Sequence, residues 1–200
     1  LGYAPEEMYD PVKNIEAAYK LWLERGRSPW PSSRLYPGDA MTEWAPFATR
    51  YDGPPHKQGG YTGVPDVMPK RGGVYHSAVG SWPAMKQVLD THAVNSWHFS
   101  VLKNGQIMQH YALSLNCYHA GDSDSDGGVR ANIDLIGIEH EGGAIGNESE
   151  PLTVPQIEGL LRVTRWAAEQ NGLTKFARYP LQDGVWTLAE HNQVGDRATA

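Results

Sequence analysis

The chain has 200 residues, 40% of them hydrophobic and 20% charged, which suits one packed domain with a sizeable core and excludes a disordered chain. A net charge of −6 argues against a broad nucleic-acid footprint, and no apolar run is long enough to insert into a membrane as a spanning helix. The lone Cys117 excludes an internal disulfide framework, and no signal-peptide pattern opens a sequence that begins at Leu1, as a piece of something longer would.

Asp10-Pro11 reads as an N-cap followed by proline at the first helical position, opening a helix to about Arg25. Val12, Ile15, Tyr19 and Trp22 fall on one face of it, and Gly26 is placed to end it. From Arg27 to Gly73 prolines and glycines recur and periodicity disappears, which predicts an extended arm over the surface. Trp30, Trp44, Phe47 and Tyr51 would pin that arm down. The chain thus divides into an N-terminal helix and arm, 1–72, and a core domain, 73–200.

Val74-Tyr75-His76 predicts a short strand ending in histidine, and Ser81 can cap a helix carrying Met85, Val88, Leu89 and His92. Residues 97–102 and 106–111 read as two strands joined by an Asn104-Gly105 hairpin turn. An acidic, glycine-rich loop runs to Asn132; its Asp122–Gly127 opening resembles a calcium loop, but the twelfth position is Ile133 rather than glutamate. A solvated acidic loop beside the cleft is the plainer reading. Thr153 and Gln156 form a capping box for a long helix lined by Ile157, Leu160, Leu161, Thr164 and Ala168. Thr187 to His191 is a last strand, again ending in histidine. Strands alternating with helices, plus one hairpin, predict an α/β fold: a mixed central β-sheet flanked by helices.

The most informative stretch is Ile133 to Gly143, an apolar strand that ends in two carboxylates. With a period of two, Ile136, Ile138 and His140 share one face, and Leu135, Gly137, Glu139 and Glu141 the other. Gly137 leaves space on the face that Glu139 enters, for a ligand or another chain segment. A carboxylate there is either an ordinary charged strand end or a group paired with something positive. His76 and His191, at separate strand ends, are either two unrelated surface histidines or two ligands meeting at one sheet edge, where zinc takes neutral imidazole readily. Seven tryptophans and ten tyrosines against three phenylalanines suit a groove for sugars or peptides.

His76-Ser77, Trp97-His98-Phe99, the Asn-Gly hairpin, His119-Ala120-Gly121, Ile136-Gly137-Ile138-Glu139 and Glu190-His191-Asn192 occur in an order that resembles the zinc N-acetylmuramoyl-L-alanine amidases. This is the type-2 amidase superfamily of phage lysins, wall-recycling amidases and peptidoglycan recognition proteins. The resemblance covers about Gly73 to Ala200 and leaves Leu1 to Gly72 unexplained. It implies hydrolysis of the amide between N-acetylmuramic acid and L-alanine in bacterial peptidoglycan, at the cell wall. It also implies Zn2+ on His76 and His191, and Glu139 as the group that shuttles the proton. Trp97 stands where some relatives place a tyrosine in the cleft, as a substrate-binding residue without a phenol hydroxyl. His119 is implied to touch substrate or the oxyanion, with a core histidine as the alternative, and His98 packs behind the site. His56, His92, His110 and His140 are read as structural.

In the resemblance the third zinc ligand, an Asp or Cys, follows the second histidine by about eight to ten residues, and a ten-residue offset puts it just past Ala200. Thr199 would then face the reacting oxygen, and Asp196 is the less favoured substitute because the chain has little room to return so soon. The alternatives to an enzyme are a peptidoglycan-binding module of the same fold that does not cut, and a virion component. A separate wall-binding domain or virion subunit outside these residues is a further expected partner.

Overall fold

A computed structural model describes residues 42–59, 69–91, 94–121, 131–143 and 150–194. The helix expected over 10–25, most of the arm and the acidic loop of 122–130 lie outside the described residues. Among the described residues seven strands form one mixed sheet: β1 Thr49–Arg50, β2 Gly72–Ala78, β3 Phe99–Val101, β4 Ile107–Gln109, β5 Leu135–Glu141, β6 Phe176–Arg178 and β7 Trp186–Glu190. Their order across the sheet is β1-β4-β3-β5-β2-β7-β6, and only the β3–β4 hairpin is antiparallel. The α-helices among the described residues are α1 Trp82–Thr91, α2 Ala131–Asp134, α3 Val154–Gln170 and α4 His191–Val194. None of the helices among the described residues is long and apolar enough to cross a membrane.

Alternation along the strands sorts the side chains onto two faces. Tyr75, Phe99, Val101, Ile136, Ile138, Trp186 and Leu188 pack with Leu160, Val163 and Ala167 of α3 in the main core. The opposite face carries Val74, Leu135 and Ala189, packed with Ala120, Ala131 and Val194. Helix α3 starts where Thr153 accepts a hydrogen bond from Gln156 N and the Gln156 side chain answers on Thr153 N, so both orphan donors are satisfied. Its buried residues are Gln156, Gly159, Leu160, Val163, Thr164, Trp166, Ala167 and Ala168; Leu160, Thr164 and Ala168 are those expected, while Ile157 and Leu161 are half-buried.

Several expectations need correction. The hairpin is present, but its turn is three residues long: Leu102 N donates to Gln106 O, and Gly105 alone takes a positive φ of 84°. Neither histidine ends a strand. His76 lies inside β2, and β7 stops at Glu190, so His191 opens the short helix α4. The central strand begins at Leu135, because Ala131–Asp134 form a helical turn before it, and β6 was not anticipated from its three residues. The arm does not merely cover the surface. Its residues 49–50 extend the sheet beside β4, Ala45 is buried, and Phe47 packs edge-on against Trp166 at 6.1 Å. Lys57 is buried too, its Nζ donating to Val88 O and Leu89 O, carbonyls in the last turn of α1.

Candidate active site

Parallel strands β2, β5 and β7 bring their C-terminal ends to one edge, where active groups on such sheets gather. The β2–β5 register sets His76 directly beside Glu139, and pairing of Tyr75 with Glu190 brings His191 just beyond the end of β7 to the same level. The two ring Nδ1 atoms of His76 and His191 face each other at 2.8 Å. His76 is buried while His191 is exposed, so the pair forms the inner and outer wall of a single point on the surface. Burial, and then the neighbouring histidines, hold His76 well below the usual imidazole range; burial also lowers His191. Both rings are thereby kept neutral, the form that binds a metal.

The two carboxylates on that face of β5 have different fates. Glu141 is tied down, accepting from Trp82 N at 3.1 Å and Lys103 N at 2.9 Å, so it fastens the start of α1 to the hairpin. Glu139 is half-buried, and its carboxyl has no hydrogen-bond partner among the described residues. Burial pushes its carboxyl up from 4.5 to about 8. A carboxyl of that kind, set beside His76 by the strand register, is free to take and return a proton near neutral pH.

His119 occupies the space that Gly137 leaves: a Cβ on Gly137 would lie 2.6 Å from Cγ of the imidazole. Its Nδ1 is 3.3 Å from His76 Nε2, and its Nε2 is 3.2 Å from Leu135 O. His98 sits behind, accepting from Gly137 N and donating to Leu115 O, which matches its expected structural place. Trp97 is not brought to the histidine pair. It is 4% exposed, packs with Met85, Leu89, Tyr111 and Cys117, and donates its indole N–H to Ser100 Oγ at 2.8 Å. His110 is structural as expected, bonded to Ser100 Oγ and Tyr51 O.

Residues 67–199 match the family model of N-acetylmuramoyl-L-alanine amidase. The chain belongs to that family. No curated protein is similar enough to match. Among solved structures, the fold of this amidase is similar to "crystal structure of Se-Met AmpD derivative", with a TM-score of 0.56 at 21% identity over 80% of this chain and 89% of that one. It is also similar to "Structure of PlyL", at 0.51 and 15% over 74% and 82%, and to the solution structure of the PlyG catalytic domain, at 0.51 and 15% over 74% and 81%. Identities this low speak to the fold alone.

As a metal site, the amidase's histidine pair fits the donor chemistry that zinc requires: two neutral imidazoles, their Nδ1 atoms converging. No group of three or more His, Cys, Asp or Glu able to hold a metal occurs among the described residues. Asp196 and Thr199 lie outside them. Sequence reasoning missed Asn132, whose Oδ1 accepts from His119 N and Ala120 N, and whose Nδ2 donates to Gly121 O. Nothing in the local pattern distinguishes this asparagine from the polar loop before it, since its partners are backbone groups more than ten residues away.

Proposed function

We propose that this amidase hydrolyses the amide joining the lactyl group of N-acetylmuramic acid to L-alanine of the peptidoglycan stem peptide, with zinc held by His76 and His191. Its place of action is the bacterial cell wall. The observation that carries the reading is the convergence of the two Nδ1 atoms on the strand end where Glu139 pairs with His76, in a chain of the amidase family. Zinc bound there would polarise the scissile carbonyl and lower the pKa of water.

The protein's own contribution is proton handling and orientation. Glu139 takes the proton from the attacking water and hands it to the departing L-alanine nitrogen, a role supported by its place beside His76 in register. A carboxyl pushed up toward neutrality suits both halves of that task, because it neither holds nor releases the proton too strongly. A third protein ligand, which a catalytic zinc requires, belongs to the segment after Val194 or beyond it. Thr199 is proposed to face the reacting oxygen from that segment, with Asp196 the poorer ligand candidate.

The test is hydrolysis of purified peptidoglycan by the wild type and by Glu139→Gln, both with confirmed zinc content. The variant should keep fold and zinc and lose about 10²–10⁴-fold in rate. A wild-type rate in Glu139→Gln would remove Glu139 from the mechanism.

A further inference from the structure

The hydrogen bonds around His119 determine which nitrogen of each ring carries its proton. Leu135 O can only accept, so His119 Nε2, 3.2 Å away, carries the hydrogen. A neutral imidazole has one N–H, so His119 Nδ1 is an acceptor, and His76 Nε2, 3.3 Å from it, must donate. The proton of His76 is therefore on Nε2, and its Nδ1 lone pair is left pointing at His191. With both ring nitrogens spent on protein partners and the side chain 9% exposed, His119 has no nitrogen left for substrate.

We propose that His119 is a positioning residue: it fixes the tautomer and ring orientation of His76, and so presents the His76 Nδ1 as a ready metal ligand. The inference rests on the zinc reading of the His76–His191 pair. The support beneath His119 is built to the same end. Gly137 opens the slot for the ring, and Asn132 holds the backbone on both sides of it through its hydrogen bonds at 2.8 Å to His119 N and Ala120 N and at 2.6 Å to Gly121 O. The ring cannot turn over without giving up both nitrogen contacts. Groups that orient a metal-binding histidine in this way typically contribute about 10–100-fold in metal affinity.

Two measurements on the whole chain test the proposal. In the metal-free wild type, two-bond nitrogen–proton NMR of the histidine rings should find His76 protonated at Nε2; a His76 protonated at Nδ1 overturns the proposal. Zinc affinity, by competition with a chromophoric chelator, should fall about 10–100-fold in His119→Leu and recover in His119→Gln, whose amide can both accept and donate. Gly137→Ala, which drives a methyl into the imidazole, should weaken zinc in the same direction and serves if His119→Leu does not fold. A folded His119→Leu with wild-type zinc affinity and a raised KM would make His119 a substrate contact instead. A wild-type chain that binds no zinc defeats the zinc reading of the pair, and the His76 tautomer still decides the role of His119.

Discussion

Glu139→Gln has a consequence for stability that is separate from catalysis. In the metal-free protein the Glu139 carboxyl is pushed from 4.5 to about 8 by burial, so the folded state holds its proton more tightly than the unfolded chain does. Such an acid costs nothing below about pH 4.5, costs progressively more as pH rises, and reaches its full cost above about pH 8. At about 1.4 kcal/mol for each pH unit of displacement, the ceiling is about 5 kcal/mol. The side chain is only half-buried and keeps some water, so a realistic cost is about 1–3 kcal/mol. Glutamine has the same shape and never ionises. Urea unfolding with a chelator present should therefore show Glu139→Gln more stable than wild type by about 1–3 kcal/mol near pH 8.5, and equal to it near pH 4. Saturating zinc should narrow the gap, because a cation beside the carboxylate favours its charged form. A difference that is the same at both pH values would show that burial does not raise this group.

His76→Ala and His191→Ala should each abolish tight zinc binding and hydrolysis, and zinc added back should restore the chelated wild type but neither variant; full activity in either variant would disprove the ligand pair. Lys57→Met keeps the buried stem but removes the ammonium from Val88 O and Leu89 O, and should cost about 1.5–3 kcal/mol in urea unfolding; a loss below about 0.5 kcal/mol would mean those bonds hold nothing. A chain trimmed to begin at residue 67 contains the whole family match but lacks β1, Ala45 and Phe47. It should lose several kcal/mol, on the order of half a typical domain's stability, and an unchanged Tm would make the arm a true appendage.

Much of the site was legible because it depends on local pattern. Alternation over 135–141 correctly divides Ile136 and Ile138 from Glu139, and the small residue at Gly137 signals a close approach, which the imidazole of His119 makes. The capping box at Thr153 is written within four residues and is formed as read. What escaped depends on partners distant in sequence. Trp97 reads as a cleft residue, yet Ser100 and the α1 residues Met85 and Leu89 draw its indole into a core cluster. Residues 42–59 look structureless because glycine and proline hide any period, whereas edge pairing of β1 with β4 and the Phe47–Trp166 contact bind them to the fold. Tautomers are invisible to any pattern, since they follow from which carbonyl happens to face which ring.

The most direct test of the central claim is product analysis after digestion of purified peptidoglycan by the zinc-loaded chain. Mass spectrometry and end-group chemistry should find new L-alanine amino termini, intact muramic acid carrying a free lactyl carboxylate, and no new reducing sugar ends. New reducing ends, or amino termini of any residue other than that L-alanine, would contradict the assignment of the scissile bond.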